Sequence, residues 1–146
     1  MPCQYWYNDQ WYDLTSLDNS VSFFETDHVM SSGEYAVYNF CQKINAATQE
    51  IAGLGCDSQY EDQTNAYSTI INAGVSGKCE AASTDSLSSI DTSEFTLPDK
   101  STTFGLMYSN PTNGCSLHVG LICDDTVDGY VTSALSVALG ETGCNY

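Results

Sequence analysis

The sequence predicts a single all-β domain, and three observations carry that prediction. Apolar residues recur with a period of two in short runs, turn dipeptides separate those runs, and helical periodicity never persists beyond one or two turns. The 146 residues, taken as one unit from 1 to 146, suffice for a single core, with no internal repeat, linker or second domain. Aromatic residues make up 12% of the chain, ten of them Tyr, and only 15% are charged, a mix that suits strands and excludes a disordered tail.

Taken in order, Cys3–Tyr12 (CQYWYNDQWY) reads as a possible first strand, with Tyr5 and Tyr7 on one face and Trp6 on the other. Trp11-Tyr12-Asp13-Leu14 leads into a Ser/Asp/Asn-rich turn at Thr15–Ser20. Val21–Glu25 is a short strand and Ser31-Ser32-Gly33 a turn. Glu34–Cys41 (EYAVYNFC) alternates, with Tyr35, Val37, Asn39 and Cys41 opposite Ala36, Tyr38 and Phe40, and is read as a strand. Gln42–Gly53 fits one or two helical turns, with Ile44, Ala47 and Ile51 on one face, stopped by Gly53 and Gly55. Cys56–Tyr67 is acidic and polar, a strand edge or a loop, and Ser68–Ala73 is a brief strand. Ser76–Asp91 is small, polar and Ser/Thr-rich, and is expected to be a long exposed loop carrying Cys79. Asp91–Leu97 resumes a strand before Pro98, and Tyr130–Leu139 alternates weakly until Gly140.

The best-defined stretch is Phe104–Asp125, FGLMYSNPTNGCSLHVGLICDD. Two apolar runs, Phe104–Tyr108 and Leu117–Cys123, flank the turn dipeptides Asn110-Pro111 and Asn113-Gly114, so the unit reads as a β-hairpin. Cys115 opens the second strand and Cys123 closes it, both on one face and too far apart to bond each other. Each therefore needs a partner elsewhere, and the strand is expected to act as a rail to which other segments are bolted.

Charge and chemistry narrow the function. The net charge is −16, the only basic residues are Lys43, Lys78 and Lys100, and Arg is absent. Phosphate neutralisation needs a basic footprint, so nucleic acid is excluded as a partner and anionic membrane surfaces are disfavoured. No apolar run has transmembrane length, so no direct membrane insertion is expected, and the acidity reads as a device for solubility or for an acidic, calcium-containing or salty habitat. Seven Cys point to an oxidising compartment, secreted or in the endomembrane lumen. The first residues do not read as a signal peptide, which suggests a mature chain or a fragment.

No C-x-x-C occurs and His28 and His118 stand in unrelated contexts, so no structural zinc site is expected. Asp124-Asp125 and Glu61-Asp62 are adjacent pairs that point apart in a strand, and no G-x-S-x-G surrounds a nucleophile. Asp124, Asp125 and Asp128 lack EF-hand spacing and read as a solvated acidic turn. His118 falls opposite Cys115, as a packed or surface residue, and no N-x-S/T sequon is open to glycosylation. The expectation is a non-enzymatic protein with no cofactor.

Four stretches in order resemble the mannose 6-phosphate receptor homology domain. Trp11-Tyr12-Asp13-Leu14-Thr15-Ser16-Leu17 is similar to that family's early YDLSPL segment, and Tyr35–Cys41 to its Y-x-x-N-V-C strand. Leu106-Met107-Tyr108, Gly114-Cys115 and Leu117–Asp124 resemble its central hairpin, and Glu141, Cys144 and Tyr146 its closing E-x-x-C-x-Y. The resemblance runs from Cys3 to Tyr146 and implies a flattened β-barrel, or sandwich, of two crossed antiparallel sheets stapled by disulfides. It implies the pairs Cys3–Cys41, Cys56–Cys79 and Cys115–Cys144. The family pairs the Cys123 equivalent with a Cys on a final strand that would follow Tyr146. Cys123 is then unpaired or paired outside this chain: the sequence is truncated, another chain supplies the strand, or the thiol stays buried and reduced.

The resemblance also implies a sugar site of Gln, Arg, Glu and Tyr. Glu141 and Tyr146 hold the family spacing, and Gln63, more closely than Gln59, lies where the Gln is found. The Arg position is occupied by Ser116. A hydroxyl cannot replace a charged guanidinium fork, so mannose recognition is expected to be weakened by several kcal/mol. The expected partner is a glycan or glycoprotein. The alternative is a structural domain of an extracellular filament, coat or matrix, with protein partners and a partner strand completing the barrel.

Overall fold

A computed structural model describes residues 3–17, 24–25, 34–44, 66–72, 79–84, 86–97, 99–123 and 126. The described chain is β-rich and antiparallel throughout, and no helix appears beyond two short 3-10 turns, Thr15–Leu17 and Leu87–Ser89. Among the described residues nine strands fall into three sheets: β1 (Gln4–Tyr7) with β2 (Gln10–Asp13); β3 (Phe24–Glu25), β4 (Glu34–Tyr38), β5 (Ser68–Asn72) and β6 (Cys79–Ala81); and β7 (Ile90–Thr96), β8 (Thr102–Asn110) and β9 (Cys115–Gly120). Each strand pairs with the next along the chain inside its sheet, which keeps every connection a simple meander. Among the described residues these sheets do not close into a barrel.

The aromatic N-terminal run is a hairpin rather than one strand. Asn8 and Asp9 both take positive φ, 51° and 60°, the backbone of a type I′ turn, which matches the twist of the flanking strands. The predicted alternation holds across it. Tyr5, Tyr7 and Tyr12 pack on the core, with Tyr12 stacked on Phe104 at 4.1 Å, while Trp6 and Trp11 face outward.

The central hairpin has the predicted form. Asn110 pairs with Cys115 around a four-residue turn in which Gly114 donates to the Asn110 carbonyl at 2.9 Å and takes a φ of 74°. Phe104, Leu106 and Tyr108 on β8, with Cys115 and Leu117 on β9, are buried, and His118 is exposed on the opposite face. On that outer face Gly105 pairs with Gly120, and a Cβ on Gly120 would lie 2.5 Å from the Phe95 ring. The two glycines make the flat seat on which Phe95 rests.

Three expectations are corrected. The second strand of the hairpin ends at Gly120, so Cys123 lies beyond it as a free, exposed thiol and is not a buried member of a rail. Within Ser76–Asp91 the described residues are not all exposed loop: Cys79–Ala81 forms β6, and Ala81, Ala82 and Ser83 are buried, while Ser86–Ser88 are exposed. Small side chains permit that close approach, and the Ser83 hydroxyl caps β5 by accepting from the amides of Tyr67 and Ser68, each at 2.8 Å. The segment Gln42–Ile44 is irregular, with Ile44 fully buried, and the rest of the expected helical turns lies outside the described residues, as does the Tyr130–Leu139 strand. The disulfide Cys3–Cys41 joins the start of β1 to the chain just past β4, as the resemblance implies. Cys115 is also disulfide-bonded, to a partner whose side chain is outside the described residues, as are the Cys56 and Cys144 side chains.

One buried cluster draws on all three sheets, through Leu14, Ala36, Tyr38, Phe40, Phe104, Leu106, Tyr108 and Leu117 among others. Among the described residues Tyr108 is the largest fully buried side chain, and its hydroxyl donates to the Asn39 carbonyl at 2.9 Å, linking β8 to the end of β4. Burial raises the Tyr108 pKa well above the ordinary 10.0, with the nearby Tyr5 and Tyr38 adding to the shift. The folded pKa is the higher one, so the stability this residue contributes is complete below 10.0 and is lost as the pH rises beyond it. Tyr108→Phe is expected to cost about 1–3 kcal/mol at neutral pH, because a buried carbonyl loses its donor. It should also flatten the loss of stability above the tyrosine range. Urea denaturation at neutral and alkaline pH checks both signs.

Candidate functional site

The hairpin tip and the 3-10 turn before β7 together border an open depression of about 360 Å³. Its border combines the hydroxyl residues Thr84, Ser88, Ser89, Ser109 and Ser116 and the amide Asn110 with Pro111, Gly114 and Cys115 of the hairpin tip. Strand register explains the grouping. Ser109 on β8 is directly opposite Ser116 on β9, so the two side chains share the face away from Leu117 and Tyr108. Ser109 donates to the Ser89 carbonyl at 3.4 Å, bringing the 3-10 turn alongside, and that turn is capped by Ser86, whose side chain accepts from the Ser88 amide.

The floor is pinned by the tip's own asparagines. Asn110 and Asn113 both donate to the Ala81 carbonyl, at 3.1 and 2.9 Å, which locks the hairpin to the end of β6. Asn110 Oδ1 also accepts from the Thr112 amide and Asn113 Oδ1 from the Cys115 amide, so each amide both shapes the turn and anchors it. The depression is therefore mounted on a fixed turn.

No ionisable side chain lines the wall among the described residues. Hydroxyls both donate and accept, and a primary amide offers two donors and an acceptor, so the surface suits neutral groups that do the same. No group of three or more His, Cys, Asp or Glu that could hold a metal occurs among the described residues, and none of their helices is long and apolar enough to cross a membrane.

Of the four site residues expected from sequence, Ser116 is placed on this wall, half-buried beside Cys115. Gln63, Glu141 and Tyr146 lie outside the described residues, as do Gln59 and the acidic residues Asp124, Asp125 and Asp128. Sequence reasoning did not find Ser88, Ser89, Ser109 or Asn110. Ser109 was readable from the hairpin, since a turn of four residues between Asn110 and Cys115 fixes its pairing with Ser116. Ser88 and Ser89 were hidden because their segment was read as loop.

Asn113→Asp tests the anchoring. The variant keeps the acceptor for Cys115 but sets a carboxylate against the Ala81 carbonyl, and a loss of about 1–2 kcal/mol in chemical denaturation is expected. No protein-family model, curated protein or solved structure matches this chain, so the family resemblance rests on the residues that carry it.

Proposed function

We propose that the chain is a non-enzymatic binding module of lectin ancestry, secreted or lumenal, that recognises a neutral glycan or glycoprotein through the depression beside Ser116. The supporting observation is the chemistry of that wall. Of the nine residues that border it five carry a hydroxyl, one carries a primary amide and none is charged, which suits a polyol better than a phosphate. In this reading the strand order of the described sheets belongs to a flattened barrel of the receptor homology type. Glu141, Tyr146 and Gln63 would complete the site, and Ser116 leaves it without the guanidinium that tightens mannose binding in that family. A net charge of −16 adds repulsion against any anionic ligand.

Calorimetry with methyl α-mannoside and with mannose 6-phosphate tests the reading. The native chain is expected to bind the neutral sugar weakly and the phosphorylated one not at all. Ser116→Arg should tighten the neutral sugar by about tenfold or more, and Glu141→Gln or Tyr146→Phe should abolish binding. Absence of neutral-sugar binding in both the native chain and Ser116→Arg would remove the proposal.

A second reading, an assembly domain of an extracellular filament or coat, is favoured by one place. Just past β9, Ile122 is 63% exposed and is followed by the free, exposed Cys123 thiol. On this reading non-reducing gels and light scattering show larger species that Cys123→Ser dissolves. A monomer at high concentration, with one thiol alkylated in the native state, contradicts it.

A further inference from the structure

The protein's only two tryptophans form a pair directly opposite each other on the outer face of the β1–β2 hairpin. Trp6 is 51% exposed and Trp11 62% exposed, in an edge-to-face contact with ring centroids 5.2 Å apart and planes at 65°. The hairpin already packs its other face on the core through three tyrosines, so the tryptophans are not needed to bury it. A Trp–Trp edge-to-face contact adds to the stability of such a hairpin. That contribution leaves half of each ring in water, where large aromatic surface is costly unless a partner covers it.

The same face carries Gln4 and Asp13, the neighbouring cross-strand pair, joined by a bond of 3.1 Å from Gln4 Nε2 to Asp13 Oδ2. Asp13 Oδ1 accepts from the Thr15 amide at 2.9 Å, so the carboxylate is fixed in position next to the rings. These bonds, that from Thr15 foremost, hold the Asp13 carboxyl below its usual range and keep it ionised. The turn adds Asp9, also exposed. Two rings meeting at an angle beside a fixed carboxylate make a notch in which a planar cation finds a π face and a counter-charge together.

We propose that the Trp6–Trp11 face is a docking site for an Arg- or Lys-rich segment of a partner protein. Charge complementarity selects this occupant: the chain carries 19 acidic and three basic residues and no Arg, so a cationic partner is drawn to it at long range. A neutral sugar would gain nothing from that field. Exposed tryptophans next to a charge are also the composition of interface hot spots. This surface is separate from the depression beside Ser116, and neither proposal requires the other.

The tryptophans being confined to this face, their fluorescence reports on it alone. The native chain is titrated with a short Arg-Gly repeat peptide, with a matched Glu-Gly peptide and with methyl α-mannoside, while emission and acrylamide quenching are followed. The Arg-Gly peptide is expected to shift the emission saturably and shield the rings from acrylamide, and the other two to do neither. Trp11→Leu should weaken the peptide by about tenfold, with Trp11→Phe between it and the native chain. Asp13→Asn should weaken it more than Asp91→Asn, a change of equal charge on β7. Peptide binding that leaves emission and quenching unchanged overturns the proposal, as does equal affinity in Trp11→Leu, because bulk charge then accounts for association. A response to the mannoside instead assigns the face to a glycan and overturns it equally. The quenching measurement on the native chain decides the matter even where a variant fails to fold.

Discussion

The structure depends on polar ties between its sheets, foremost the buried hydrogen bond from the Tyr108 hydroxyl to the Asn39 carbonyl, with those from Asn110 and Asn113 to the Ala81 carbonyl of β6 beside it. Among the described residues each strand is hydrogen-bonded only within its own sheet, so no ladder joins β4 to β8. A tyrosine spans the gap because its ring fills volume in the core while its hydroxyl satisfies a backbone group that burial would otherwise leave costly. Asn39 is suited to the other end. Its side chain accepts from the Phe40 amide at 2.9 Å, and its own amide donates to the Tyr67 carbonyl at 3.0 Å. The bend that follows places Cys41 at a φ of 66°, a left-handed conformation held in place by these bonds and by the disulfide to Cys3.

Both candidate surfaces are mounted on this frame by short-range geometry. The depression beside Ser116 stands on a four-residue turn whose asparagines reach back to β6, and the tryptophan face stands on a type I′ turn whose tyrosines reach down to Phe104. They differ in chemistry. One is an uncharged, hydroxyl-bearing depression; the other is an aromatic notch beside a carboxylate.

What the sequence made legible follows from how local the signal is. The central hairpin was readable because Asn110-Pro111 and Asn113-Gly114 punctuate two alternating runs, and strand β4 because its alternation is unbroken. The first hairpin was missed because Asn8-Asp9 lacks the glycine that usually marks a type I′ turn and lies inside an uninterrupted aromatic run. Strand β6 was missed for a different reason. It is only three residues long and is followed by small residues, Ala82, Ser83 and Thr84, which look like loop until a partner strand and a buried Ser83 are seen to need them. The tie between Tyr108 and Asn39 spans 69 residues and leaves no local trace. Of the expected sugar site, the position of Ser116 was legible from the hairpin register, whereas its companions on the wall come from a segment whose placement only tertiary packing reveals.

Native-state hydrogen exchange, read residue by residue, tests most directly whether the Tyr108–Asn39 contact makes one cooperative unit of the sheets. The amides of Asn39 and Ala36 on the β4 side and of Leu106 and Tyr108 on β8 should open together, with one free energy and one dependence on denaturant. Opening of the β4–β6 amides at a clearly lower free energy than those of β8 would contradict it, since the sheets would then be separate units that merely touch.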